Sequence, residues 1–238
     1  MLIFGGIAGA VLAIGLTIVL IAVLSSDGDP FHRAASAPTD VRPPLARACP
    51  PPTAVPTAPP AKPGPVSGAR TVDRDAGISY RAYGPPWEPW DELWRAGTLQ
   101  VPYKVGQHFV TETYPGGFYH ASILSAAVPA TVNDAVAVDL ECVGRQVAAD
   151  ARAEYYPQPN TMDTLRDQKT TLGGRPAWVT EFRLHFNQPG LRAKDELAAI
   201  AIIDVGKPSA AVLYVSIPGT HRQYDSVIDE VLASVRPL

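Results

Sequence analysis

LAAIAIIDVGKPSAAVLYVSI, residues 197–217, decides the fold. Two apolar runs, Leu197 to Val205 and Ala210 to Ile217, flank Gly206-Lys207-Pro208-Ser209. Ile and Val are β-branched and each run has the length of a strand, so the two read as strands separated by the Gly206-to-Ser209 break. The first run has so few polar positions that it reads as a strand buried on both faces. Such a strand needs a covering layer above and below it.

Working outward, the candidates for those layers alternate with further hairpins. Lys169 to Leu172, the turn Gly173-Gly174 and the run from Pro176 to Phe186 read as one hairpin, with Trp178, Phe182, Leu184 and Phe186 on one face of the long strand. Gln107 to Tyr114 and Phe118 to Val128, joined at Pro115-Gly116-Gly117, read as another. Between the hairpins, Thr131 to Tyr155 carries a helical stripe of Val132, Val136, Leu140, Val143 and Val147. Asp139, Arg145, Gln146 and Asp150 form its polar side, and Tyr156-Pro157-Gln158-Pro159 ends it. A closing helix is expected from Thr220 and Gln223 at capping-box spacing, with Tyr224, Val227, Ile228, Val231 and Val235 facing inward. At the other end, Ile78 to Tyr83 alternates as a short strand. The segment from Trp87 to Trp94, with Pro89 near its start and Gly97 after it, reads as a helix carrying Trp87, Trp90 and Trp94 on one face. Strands with interspersed helices give a mostly antiparallel sheet packed by helices, in the α+β class.

Several of these residues also carry a family resemblance. The strand and Gly-Pro-Pro-Trp of Ile78 to Trp87, the turn Gly173-Gly174-Arg175-Pro176-Ala177 before a long strand, and the closing segments Tyr224-Asp225-Ser226-Val227-Ile228 and Ser234-Val235-Arg236-Pro237 resemble the PsbP-like superfamily over Ala76 to Leu238. That group includes an extrinsic photosystem protein, a Ran-binding nuclear-transport protein and bacterial cell-envelope lipoproteins. The resemblance implies an αβα sandwich with a central antiparallel sheet, used for binding and assembly, and it transfers no functional residue. The chain departs from the envelope lipoproteins in having no lipobox.

Residues 1–24 contain no charged, Pro, Asn or Gln side chain. A helix of that length rises roughly 36 Å, enough for a hydrocarbon core of about 30 Å. We expect a transmembrane helix at 1–24, a Pro/Ala-rich linker at 25–75 and the PsbP-like domain at 76–238. The alternative for the apolar run is a cleaved signal peptide and a secreted domain, although no Lys or Arg precedes the run. Asp27 and Asp29 follow it before Arg33, so no basic cluster holds this flank in the cytoplasm and export of the C-terminal part is expected. Gly5 and Gly9 form a small-xxx-small pair that would permit a homodimer through the membrane helix, or reflect only the small-residue content of such helices. Pro43-Pro44, Pro50-Pro51-Pro52, Pro56 and Pro59-Pro60 predict polyproline-type extension along the linker. Outside the cytoplasm Cys49 and Cys142 invite a disulfide tying the linker to the domain; a buried Cys142 and a free Cys49 thiol are the other reading.

The 238 residues are 46% hydrophobic and 18% charged with a net charge of −3, a balance without the basic excess of a nucleic-acid binder. His32, His108, His120, His185 and His221 are scattered, and pairing across Gly116-Gly117 would set His120 opposite Thr113, away from His108, so no metal site is expected. There is no G-x-S-x-G elbow, Walker loop or Rossmann glycine pattern, and Asp134, Asp139, Glu141, Asp150 and Glu154 fall mostly on the solvated side of one helix. No cofactor is called for. The expectation is a membrane-tethered extracytoplasmic interaction or assembly module without catalysis, binding an envelope protein or cell-wall component, with Trp87, Trp90 and Trp94 as its aromatic surface. The competing expectations are that the same stripe is core, or that the domain is an envelope enzyme acting on a glycan, lipid or peptide.

Overall fold

The computed structural model describes residues 44–49, 67–129, 139–207 and 209–238. The apolar run at 1–24, most of the 25–75 linker and the predicted first turns of the helix at 131–138 lie outside the described residues. Among the described residues no helix is long and apolar enough to cross a membrane.

Seven strands form one antiparallel sheet. In chain order they are β3 (Glu88–Trp90), β6 (Val105–Tyr114), β7 (Gly117–Pro129), β8 (Asn160–Leu172), β9 (Arg175–Phe186), β10 (Asp195–Ile203) and β11 (Ser209–Pro218), and they lie side by side in the order β3-β6-β7-β11-β10-β9-β8. The apolar runs of the opening sequence are the paired strands β10 and β11, with Ile200 opposite Tyr214 and Ile202 opposite Val212. From Glu196 to Ile203 every residue of β10 is buried, as the lack of polar alternation requires. Gly173 and Gly174 turn β8 into β9 with φ of 57° and 80°, the positive pair that a two-residue hairpin of this hand needs. β8 runs thirteen residues, well beyond the expected Lys169–Leu172, because an edge strand exposed on both faces carries few apolar positions to betray it.

One helix covers each face of the sheet. α2 (Leu140–Glu154) packs Val143, Val147 and Ala151 onto the even-numbered side chains Phe182, Leu184, Ile200, Ile202 and Val212. It starts at Asp139, whose carboxylate accepts the Cys142 N–H at 2.9 Å. Gly144 sits where a Cβ would come within 2.6 Å of Trp178 Cδ1, so α2 approaches β9 closely. α3 (Val227–Ser234) buries Val227, Ile228, Val231 and Leu232 against the odd-numbered side chains of the other face, Leu197, Ala199, Leu213 and Val215 among them. There α3 is joined by a small sheet in which β2 (Ile78–Arg81) pairs with β1 (Arg70–Asp73) on one side and β12 (Arg236–Pro237) on the other.

Four expectations are corrected. The segment from Trp87 to Trp94 is not a helix: β3 pairs Pro89 with Gln107 at the sheet's edge, and Trp94 begins β4 (Trp94–Ala96), which pairs with β5 (Val101–Tyr103). Aromatic residues favour strands, and an edge strand tolerates the missing N–H of Pro89. Thr220 does not cap the closing helix; Gly219–Tyr224 is a 3₁₀ turn, and α3 follows it. Asp150 is buried rather than solvated, accepting the backbone N–H groups of Thr98 and Leu99 at 2.9 and 3.3 Å. Within the expected extended linker, Pro44–Ala48 forms a short helix, α1, and β1 precedes the expected domain start at Ala76. Leu45, Ala46 and Cys49 are buried, and Cys49 is bonded to Cys142 across 5.7 Å between Cα atoms.

Candidate binding cleft

α2 does not cover its whole face of the sheet. Along β10 and β11 the even-numbered positions run from Ile202 and Val212 beneath the helix to Glu196, Tyr214 and Ser216 beyond it. Over that uncovered end lies a cleft of about 570 Å³. Its walls are two chains of aromatic contacts. In one, Trp94 lies 4.8 Å from Tyr155 and 6.4 Å from Tyr214 between ring centroids. In the other, Trp90 meets His108 edge-on at 5.0 Å, His108 stacks on His120 at 5.2 Å, and Phe118 follows at 6.5 Å. At the rim Leu93 is 56% and Phe118 66% exposed, beside the exposed carboxylates of Asp91 and Glu92.

The floor is polar. Tyr119 donates to Glu196 Oε2 at 2.7 Å, and Ser216 donates to Glu196 Oε1. The Tyr156 hydroxyl lies 3.0 Å from Ser216 Oγ and 2.9 Å from the Tyr214 hydroxyl, extending the chain of hydroxyl groups. Glu196 is 1% exposed, and burial pushes its carboxyl up to about 8 despite the hydroxyl donors. Burial therefore favours its uncharged acid form. Burial likewise raises the Tyr119, Tyr156 and Tyr214 phenols far above their ordinary range, so these groups remain hydroxyls. His120 is pushed down, first by burial and then by His108, with Glu92 opposing.

The tryptophans predicted to share one surface are divided between the faces. Trp90 and Trp94 line the cleft, half-buried, whereas Trp87 is buried under the opposite face among Phe109, Tyr224 and Tyr83. The two histidines are together after all, with their Nδ1 atoms 3.0 Å apart. The turn between β6 and β7 is Pro115-Gly116, and a bulge near Thr111 puts Val110, not Thr113, opposite His120, so His108 is its diagonal neighbour. Among the described residues no group of three or more His, Cys, Asp or Glu side chains converges as a metal site. Glu196, Tyr214 and Ser216 were missed. Their signal is an acidic residue directly before a run buried on both faces, and two hydrogen-bonding residues at i and i+2 in an otherwise apolar strand.

No family model and no curated protein matches the chain. Among solved structures it is similar to LpqN of Mycobacterium tuberculosis, a protein involved in cell envelope biogenesis, with a TM-score of 0.40 and 14% identity over 67% of this chain and 82% of that one. It is also similar to the cyanobacterial PsbP of Synechocystis, with a TM-score of 0.44 and 15% identity over 74% of this chain and 98% of that one.

Proposed function

We propose that the chain is a membrane-tethered, extracytoplasmic binding module whose cleft captures an envelope protein or cell-wall component. One observation carries this reading: a cleft walled by Trp90, Trp94, Tyr155 and Phe118, with exposed apolar side chains at its mouth, left open beside α2 on one face of the sheet. Aromatic anchors in a concave site supply contact area with little side-chain entropy to lose. The Cys49–Cys142 bond belongs in an oxidising compartment, which agrees with export, and the apolar run at 1–24 supplies the tether.

A second reading, an envelope enzyme, is favoured by the buried Glu196 in the cleft floor, whose carboxyl burial pushes up toward the range of a general acid. Its hydrogen-bond partners are the hydroxyls of Tyr119 and Ser216, with no second carboxyl or imidazole among them, so an acid stands in the cleft without a bonded base. Binding accounts for more of the lining.

The test is affinity capture from solubilised membranes with the intact chain, repeated with Trp90→Ala/Trp94→Ala after circular dichroism establishes that the variant is folded. A partner retained by the intact chain and lost by the variant is the expected result. Capture that the variant leaves unchanged sinks the cleft as the binding surface, and absence of any specific partner sinks the module reading.

A further inference from the structure

Four carboxyl side chains are buried among the described residues: Asp73, Glu112, Asp150 and Glu196. Three of them are answered by N–H donors. Asp73 accepts the backbone N–H groups of Asp75 and Ala76, at 3.1 and 2.9 Å. Glu112 accepts those of Arg192 and Ala193, at 3.0 and 2.9 Å, as well as Arg192 Nε at 3.0 Å. Asp150 accepts those of Thr98 and Leu99. Glu196 differs: its two oxygens accept hydroxyl groups, and among the described residues no N–H donor reaches them. Arg183, the guanidinium that acts on it electrostatically, alternates with Phe182 and Leu184 and so projects from the other face of the sheet. There it is held by Asp195 at 2.6 Å and by Asp225 at 2.9 Å.

The rest of the cleft has the same bias. Asp91 and Glu92 stand at its rim, and no Lys or Arg is among the described residues that line it. An anionic ligand would meet the carboxyl groups of Asp91, Glu92 and Glu196 with only neutral hydroxyls and imidazoles to answer it. A cation would meet the aromatic lining of Trp90, Trp94, Tyr155 and Tyr214, and a buried carboxyl that has no N–H partner among the described residues.

Resting on the binding-module reading, we propose that the cleft of this chain recognises a primary ammonium group carried on an apolar body, the ammonium reaching Glu196 and the body lying against Trp90 and Trp94. Three donors on one nitrogen supply the N–H bonds that Glu196 lacks, and the cleft volume accommodates a small amphiphile. Binding converts the carboxylic acid to a carboxylate paired with the ammonium, and the acid's proton leaves to solvent. The groups that bear on this ionisation are Tyr119, Tyr156, Tyr214 and Ser216 in the cleft floor, Asp195 and Arg183 at or across the sheet, and His108, His120, Asp91 and Glu92 toward the mouth.

The experiment titrates the oxidised chain, in detergent, with 2-phenylethylamine, with its neutral counterpart 2-phenylethanol and with the anion 3-phenylpropanoate, following Trp fluorescence and calorimetric heat. The amine is expected to bind about tenfold or more tightly than the alcohol, a difference of roughly 1.4 kcal/mol, with the anion weakest. Heats in buffers of different ionisation enthalpy should report proton release. Glu196→Gln, near-isosteric, should remove the preference of the cleft for the amine over the alcohol. The exposed rim variant Asp91→Asn/Glu92→Gln, which does not touch the floor, should weaken the amine about two- to threefold and reduce its salt dependence. A further arm with Nα-acetyl-lysine-N-methylamide separates sources within the class: affinity equal to that of phenylethylamine assigns the ammonium to a lysine side chain of a partner, and lower affinity assigns it to a free amine. Equal binding of amine and alcohol overturns the ammonium assignment and leaves the cleft as an apolar binding site. Binding of none of the probes also overturns it, while membrane capture still decides the module reading independently.

Discussion

The two faces of the central sheet are built from the same strands and end differently. On the odd-numbered face, α3 and the small sheet of β1, β2 and β12 seal a core of Ile78, Tyr80, Leu213, Val215 and Ile217. On the even-numbered face, α2 covers only part of the surface, and the remainder becomes a cleft floored by Glu196, Tyr214 and Ser216. Neighbouring residues therefore serve opposite ends: Leu213 and Val215 are structural, and Tyr214 between them is part of the site. The sealed face is held by burial and sheet pairing. The open face, with less cover, adds a covalent tie from α1 to α2.

That tie gives the largest expected effect. Cys49 and Cys142 are 93 residues apart, and a crosslink closing a loop of that size removes much unfolded-state entropy. Cys142→Ser is expected to lower stability by roughly 3–5 kcal/mol in urea unfolding and to expose the Leu45 segment to proteolysis, since a five-residue helix cannot hold itself in place. Non-reducing peptide mapping should recover the Cys49–Cys142 pair. An unchanged midpoint would mean that the open face is as self-sufficient as the sealed one.

Adjacent residues then divide the faces. Leu213→Ala leaves a cavity in the fully buried α3 side and should cost about 3 kcal/mol. Tyr214→Phe removes one hydroxyl bonded to Tyr156 on the cleft side and should cost about 1 kcal/mol, with ligand binding the more affected quantity. Equal losses in stability would erase the distinction between core and site.

Glu196 ties the open face to pH. In the folded chain burial raises its carboxyl from 4.5 to about 8, so the folded state binds more protons than the unfolded state between those values. Stability from this group is complete below about 4.5 and falls as pH rises toward 8, by a few kcal/mol on the order-of-magnitude scale of such linkage. Glu196→Gln, which cannot ionise, should show a flatter profile over this window and exceed the parent chain in stability at pH 9. His120 acts with the opposite sign: its depressed pKa makes the folded chain disfavour the charged ring, so its contribution is lost as pH falls below the ordinary histidine range. A Glu196→Gln profile parallel to the parent's in chemical denaturation would place the acidic switch elsewhere.

The sealed face was more legible than the open one for a physical reason. Strands β10 and β11 and the stripe of α3 bury apolar side chains at regular period, and periodicity is what a sequence displays. The cleft is assembled from breaks in pattern: one Glu before an apolar run, a Tyr and a Ser within another, and tryptophans whose i, i+3, i+7 spacing imitates a helix. Trp87, Trp90 and Trp94 fit that helical template, and only the pairing of Pro89 with Gln107 sends Trp87 to one face and leaves Trp90 on the other. The histidine pair depended on a bulge, a single-residue shift that alternation cannot foretell. Cys49 and Cys142 were recognisable as a pair through redox chemistry, while the helix around Leu45 was hidden by its prolines.

The smallest effect on stability falls at the mouth of the cleft. Phe118 is 66% exposed at the edge of the cleft, with its ring edge-on to His120 at 6.5 Å between centroids. A side chain so exposed contributes little to folding, so Phe118→Ser should change unfolding free energy by less than about 0.5 kcal/mol. If the cleft is a binding surface, the same substitution removes an aromatic contact from its entrance and should weaken partner retention severalfold at unchanged melting temperature. A comparable substitution on the odd-numbered side, at exposed Val72, serves as the reference. Loss of retention at Phe118 alone locates recognition on the open face; equal retention by both variants removes Phe118 from it and confines contact to the deeper walls at Trp90 and Trp94.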